Sequence, residues 1–145
     1  MMTMTNQGYS GTPLVKKLGI KSGFRMYGYQ LPQDYFHWFD SLPEDLHLLP
    51  EEPFEDILAE SLDFVHAFVT EKKTLEEILP LVKTKIKKNG MVWVSWPKKA
   101  SKVVTDLDSH LVRTYGLECG LVDVKVAAVN EVWSAIKLMY RVKDR

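Results

Sequence analysis

The chain has 145 residues, 46% hydrophobic and 26% charged, and its 19 basic side chains are balanced by 19 acidic ones. These proportions describe one globular domain with a real core and exclude a disordered chain. Zero net charge argues against non-specific nucleic-acid binding, the single Cys119 excludes an internal disulfide, and no apolar run reaches the length of a membrane span.

Residues 1–7 lack the basic and apolar regions of a signal peptide. They read as a loose tail before a single domain over 8–145, in a cytoplasmic protein. Thr12 suits an N-cap, Pro13 a first helical position and Gly19 a stop, which predicts a short helix over 13–18. The aromatic run 24–31 reads as a strand that Pro32 ends. Residues 34–39 (DYFHWF) and 53–61 (PFEDILAES) carry apolar side chains at helical spacing, with a short strand over 46–49 between them.

Residues 62–69 (LDFVHAFV) are apolar on both faces, the pattern of a central parallel strand. Thr74 and Glu77 form a capping box, and Leu75, Ile78, Leu79, Val82 and Ile86 form the stripe of the helix it opens. Pro80 should kink or divide that helix, and Asn89-Gly90 should end it. A strand over 91–96 follows. Another helix starts at Thr105 and Asp108 and stops at Gly116. Two last strands, 122–129 and 132–142, flank Asn130-Glu131 as a β-hairpin.

Alternating strands and helices imply an α/β domain with a mostly parallel sheet of about six strands, helices on both faces and an antiparallel C-terminal hairpin. This three-layer, Rossmann-like arrangement is similar to a shortened class I methyltransferase fold. Ligands of such sheets bind outside the carboxyl ends of the strands, where strand order reverses. That points to the loops 30–35, 50–53, 70–74 and 96–102.

The first of these loops contains no glycine, although close backbone approach to S-adenosylmethionine calls for one. Glu51 and Glu52 follow the short strand, where this fold often places an acid against a ribose, but on so short a segment they read first as a solvated pair of acids. Lys98 and Lys99 follow a strand, so they are either solvated or hold a phosphate or carboxylate. Ser95 and Ser101 could add hydrogen bonds to them. Gly8, Tyr9, Ser10, Gly11 and Thr12 precede a helix, as capping residues or as anion donors. Neither Ser95 nor the scattered histidines suggest a catalytic triad, and no metal-ligand spacing is present. His66, inside an apolar strand, reads as a hydrogen-bonded core residue.

Three stretches resemble a bacterial family catalogued as domain of unknown function 3052. They are GYSGTPLVKKLGIKSG, WVSWPKKAS and GLVDVKVAAVNEVWSAIKLMYR, in that order along the chain. The resemblance implies a methyltransferase-like or Rossmann-like domain and marks Gly8–Thr12 and Ser95–Ser101 as family signatures. It implies no activity and no cofactor. The leading expectation is therefore a small-anion-binding domain without catalytic machinery. The alternatives are an atypical S-adenosylmethionine-dependent methyltransferase and a partner-binding module that uses Tyr35 and Trp38.

Overall fold

The computed structural model describes residues 11–49 and 53–145. Among them, six strands form one sheet in the order β2-β1-β3-β4-β6-β5. The strands are β1 (Arg25–Tyr29), β2 (His47–Leu49), β3 (Leu62–Phe68), β4 (Ile86–Pro97), β5 (Leu121–Ala128) and β6 (Trp133–Tyr140). β2, β1, β3 and β4 pair in parallel. β6 runs antiparallel to both β4 and β5. Strand order therefore reverses between β1 and β3, as the α/β pattern predicts.

Alternation along β3 divides the core in two. Phe64 and Phe68 face α1 (Leu14–Leu18) and a 3-10 turn at Tyr35–Trp38, in one buried cluster with Met26, Trp93 and Ala135. Val65 and Val69 face α2 (Lys72–Lys85) and α3 (Ser109–Glu118), in a second cluster with Leu75, Leu79 and Val82. Burying each of these aliphatic side chains stabilises the fold by roughly 1.5–3 kcal/mol. The Trp93 indole also donates to the Leu18 carbonyl at 2.8 Å, which ties α1 to the middle of the sheet. In the hairpin turn, Asn130 Oδ1 accepts from the N–H groups of Val132 and Trp133, both at 2.9 Å.

Several local expectations give way to tertiary contacts. The helix expected over 34–39 is a single 3-10 turn, because Tyr35 is drawn fully into the core. Within 53–61 only Phe54–Asp56 is helical, as a single 3-10 turn. Ile57 is then extended and buried, Leu58 is 74% exposed, and the Lys85 ammonium takes the Ile57 carbonyl at 2.5 Å. α1 has Pro13, not Thr12, as its N-cap, while Gly19 closes it in the left-handed conformation as expected.

Thr74 lies inside α2, and Glu71 occupies the N-cap. The exposed N–H of Lys72 is satisfied from a distance, by Asp106 Oδ1 at 2.8 Å. α2 is not divided at Pro80. Ile86 ends the helical stripe and opens β4 directly. Asp108 does cap α3, accepting from Leu111 N at 2.8 Å. Gly116 does not stop that helix; it lies within it, buried, where a Cβ would stand 2.9 Å from Leu138.

The β3–β4 pairing jumps from Leu62↔Ile86 to Phe64↔Met91. Gly90 closes this bulge: a Cβ there would stand 2.8 Å from the Leu62 carbonyl oxygen and 3.1 Å from that of Lys87. Both neighbours are backbone and have little room to yield. Gly90→Ala is expected to destabilise the protein by about 1–3 kcal/mol, read as a lower urea midpoint with an unchanged m-value.

Candidate functional site

The carboxyl ends of β1, β3 and β4 define the edge where this architecture seats ligands. Beneath that edge lies a buried chain of hydrogen bonds. His66, in the centre of β3, meets the Tyr35 hydroxyl through Nδ1 at 2.9 Å and the Ser95 hydroxyl of β4 through Nε2 at 2.7 Å. All three side chains are fully buried. A neutral imidazole donates from one nitrogen and accepts at the other, and a hydroxyl can serve either role. Either tautomer is therefore satisfied. Phe68 stacks on the imidazole with ring centroids 4.3 Å apart, and the Tyr35 ring packs edge-on at 5.3 Å. Burial drives the His66 pKa down to about 3 and pushes that of the Tyr35 phenol up.

This cluster sets the turn after β1. Gly28 pairs in register with His66, and a Cβ on Gly28 would collide with the Leu31 side chain. Leu31 thus folds back over Gly28 while Tyr35 folds back over His66. Between β1 and this fold, Gln30 adopts the left-handed region at φ 53°, a position that favours glycine.

The loops after β3 and β4 are stitched to each other. Thr105 Oγ1 and Asp106 N both donate to the Thr70 carbonyl, at 2.6 and 3.3 Å. They leave a pocket of about 420 Å³ lined by Thr70, Glu71, Val104, Thr105 and Asp106. That volume falls within the range of small-ligand sites, roughly 300–1,000 Å³.

The residues singled out in the sequence are dispersed by the fold. Gly8, Tyr9 and Ser10, like Glu51 and Glu52, lie outside the described residues. Gly11 is exposed with φ 87°, and Thr12 is half-buried. Ser95 lies in the core, bonded to His66, rather than at the surface. Ser101 builds a turn: its hydroxyl donates to the Lys98 carbonyl at 2.6 Å and accepts from Val103 N at 3.2 Å. Lys98 is half-buried and Lys99 exposed. Burial first, then Lys125 and Lys98, lowers the Lys17 pKa, so α1 brings a further ammonium toward Lys98. The partner-binding reading fails for its rings, since Tyr35 is fully buried and half-buried Trp38 packs on Tyr35 and Phe68. Sequence reasoning put His66 in the core correctly but missed its two partners, which lie 31 and 29 residues away.

No family model matches the chain, and neither does any curated protein. Solved structures do match, 188 chains in all. A precorrin-6y C5,15-methyltransferase from Geobacter metallireducens superposes with a TM-score of 0.63 at 13% identity, covering 88% of this chain and 86% of its own. An S-adenosylmethionine-dependent methyltransferase from Aquifex aeolicus gives 0.60 at 12% identity, covering 88% of each chain. Fibrillarin from Aeropyrum pernix, with natively bound S-adenosyl-L-methionine, gives 0.59 at 12% identity over 87% of this chain and 73% of that one. The fold is therefore the methyltransferase-like Rossmann fold. These neighbours overturn the leading expectation of a non-catalytic anion-binding domain and favour the methyltransferase alternative.

The fold implies S-adenosylmethionine, and the described residues can be tested against it. The turn after β1 does not fit the usual seat. Leu31 fills the space above Gly28, Pro32 lacks an N–H, and a single 3-10 turn stands where a longer helix would present free donors. The pocket between the β3 and β4 loops has the room that this turn lacks.

Two outcomes follow from the buried chain. Ser95→Ala leaves an imidazole nitrogen without its partner and is expected to cost about 1–3 kcal/mol in chemical denaturation. Acidification should also destabilise the native protein. The folded imidazole stays neutral down to about pH 3, while the unfolded one gains a proton below the ordinary histidine value of 6.5. This contribution is fully present above 6.5 and falls as pH drops toward 3. It amounts to about 2 kcal/mol between pH 6.5 and 5. Urea unfolding of wild type and His66→Gln at both pH values measures it, with a shallower pH slope expected for the variant.

Proposed function

We propose that this chain is an S-adenosylmethionine-dependent methyltransferase of atypical build, which holds its cofactor at the carboxyl edge beside β3, in the pocket between the loops that follow β3 and β4. One observation carries the reading: a methyltransferase-like sheet with its strand-order reversal between β1 and β3, matched over 88% of the chain. The pocket at Thr70, Glu71 and Val104–Asp106 opens at the carboxyl end of β3, on the side where the loops leave space. The cofactor would enter from the β3–β4 side, since Leu31 and Gln30 close the β1 side to backbone approach. The resemblance to the family known as domain of unknown function 3052 and a cytoplasmic location belong to this proposal on the strength of the sequence alone, since no family model matches the chain. The methyl acceptor would be selected at the exposed rim, where Val104 is 91% exposed.

Thermal unfolding with S-adenosylmethionine or S-adenosylhomocysteine tests this directly. Cofactor at a hundred times its dissociation constant should add about 2.7 kcal/mol of stability. Val104→Trp, which crowds the pocket's rim, should reduce the shift and leave the melting temperature of the free protein unchanged. No shift with either compound at millimolar concentration would reject the proposal.

A further inference from the structure

The chain's 19 basic and 19 acidic side chains balance, but the fold gathers lysines along one face of the C-terminal hairpin, the face that α1 covers. Lys125 of β5 and Lys137 of β6 are direct cross-strand partners. The Lys125 ammonium donates to the Lys17 carbonyl of α1 at 3.3 Å, and the Lys17 ammonium donates to the Ala128 carbonyl at 3.2 Å. At the hairpin turn, Lys98 N donates to the Val132 carbonyl at 2.7 Å, beside the carboxyl end of β4. From the level of Lys137 to that of Val132 the strand advances about 17 Å. We propose that this row of ammonium groups docks the phosphate backbone of a single-stranded nucleic acid and leads it to the carboxyl edge. As the class of methyl acceptor, a nucleic acid rests on the methyltransferase reading; the docking surface does not.

Like charges directly opposite each other in a sheet are destabilising, so the Lys125–Lys137 rung costs stability. The ion pairs among the described residues, Lys87 with Asp63 and Arg113 with Asp123, engage neither lysine. Asp123, on the same strand as Lys125, is turned instead to Arg113 of α3, on the other face of the sheet. The field along the row has one sign. Burial first, then Lys125 and Lys98, lowers the Lys17 pKa, and burial first, then Lys125 and Lys21, does the same for Lys137. The row is also held in place. Lys17 and Lys125 are fixed on backbone carbonyls, and the Lys137 ammonium lies over the Trp93 ring at 5.8 Å. One nucleic-acid strand carries a charge about every 3.4 Å, so about five phosphates span a row of this length. A line of fixed cations suits such a strand better than a plane of lipid headgroups.

Fluorescence anisotropy of the full chain with a labelled oligouridine, without cofactor, tests the docking surface. Binding is expected, with the logarithm of affinity falling against that of salt concentration at a slope of about −3, as about four phosphates are neutralised. K125Q/K137Q should lose about tenfold in affinity and flatten the slope by about 1.4. Its urea midpoint should be unchanged or higher, because a like-charge pair has been removed. K88Q/K143Q, at the opposite, amino edge of the sheet, should bind as wild type does. Absence of binding at low salt, an equal loss in both double variants, or a preference for phosphatidylglycerol vesicles over oligouridine would overturn the proposal. The two readings fail separately. A thermal shift with S-adenosylmethionine but no oligonucleotide binding rejects the nucleic-acid acceptor alone. Oligonucleotide binding without any cofactor shift rejects the methyltransferase reading and upholds the docking surface.

Discussion

The chain Tyr35–His66–Ser95 is the constraint around which the ligand-facing end of this domain is arranged. A histidine at the centre of an apolar strand costs stability unless both ring nitrogens are satisfied. Here one partner comes from the neighbouring strand and the other from the turn that leaves β1. Each hydroxyl can donate or accept, so the chain tolerates either tautomer. Its position matters more than its energy. It joins β3, β4 and the loop after β1 just below the edge where the strand order reverses. Phe68 and Trp133 then close the aromatic layer around it, with centroids 4.9 Å apart.

Much of the neighbouring geometry follows from that tether. Tyr35 reaches His66 because the backbone winds as one tight 3-10 turn instead of a longer helix. Leu31 reaches the sheet because Gly28 has no side chain, and Gln30 takes a left-handed conformation to make the reversal. A glycine turn would leave this space to a ligand. In this protein, side chains fill it, and free volume remains instead between the β3 and β4 loops. The domain thus shares its sheet order with methyltransferases while its β1 turn serves packing.

The opposite face shows how a small domain uses glycine and lysine to pack helices close to the sheet. Gly116 lets α3 approach Leu138 of β6, and Gly120, at φ 95°, leaves room for the Lys83 ammonium. That ammonium satisfies the carbonyl of Cys119, the C-cap of α3, while the Tyr140 hydroxyl donates to the Lys83 carbonyl at 2.8 Å. Helix ends on this face are therefore completed by residues from other elements, Lys83 at the end of α3 and Asp106 at the start of α2.

Sequence by itself determined the class of fold. Period-3.6 stripes, the doubly apolar run at 62–69 and the short gap at Asn130 each report burial by neighbours close in the chain. Together they place six strands and the hairpin. It also determined that His66 is internal, because its neighbours in the strand are apolar. Tertiary structure decided the rest. The partners of His66, the distant cap on Lys72, the exclusion of Leu58 from the core and the place of Gly116 inside a helix all depend on contacts across the fold. Local propensity weighs a residue by its near neighbours, whereas a buried polar atom or a missing Cβ is resolved by whatever the folded chain brings against it. The same reason explains the candidate site: Ser95 looked like a surface hydroxyl at a strand end until β3 supplied the imidazole that holds it in the core.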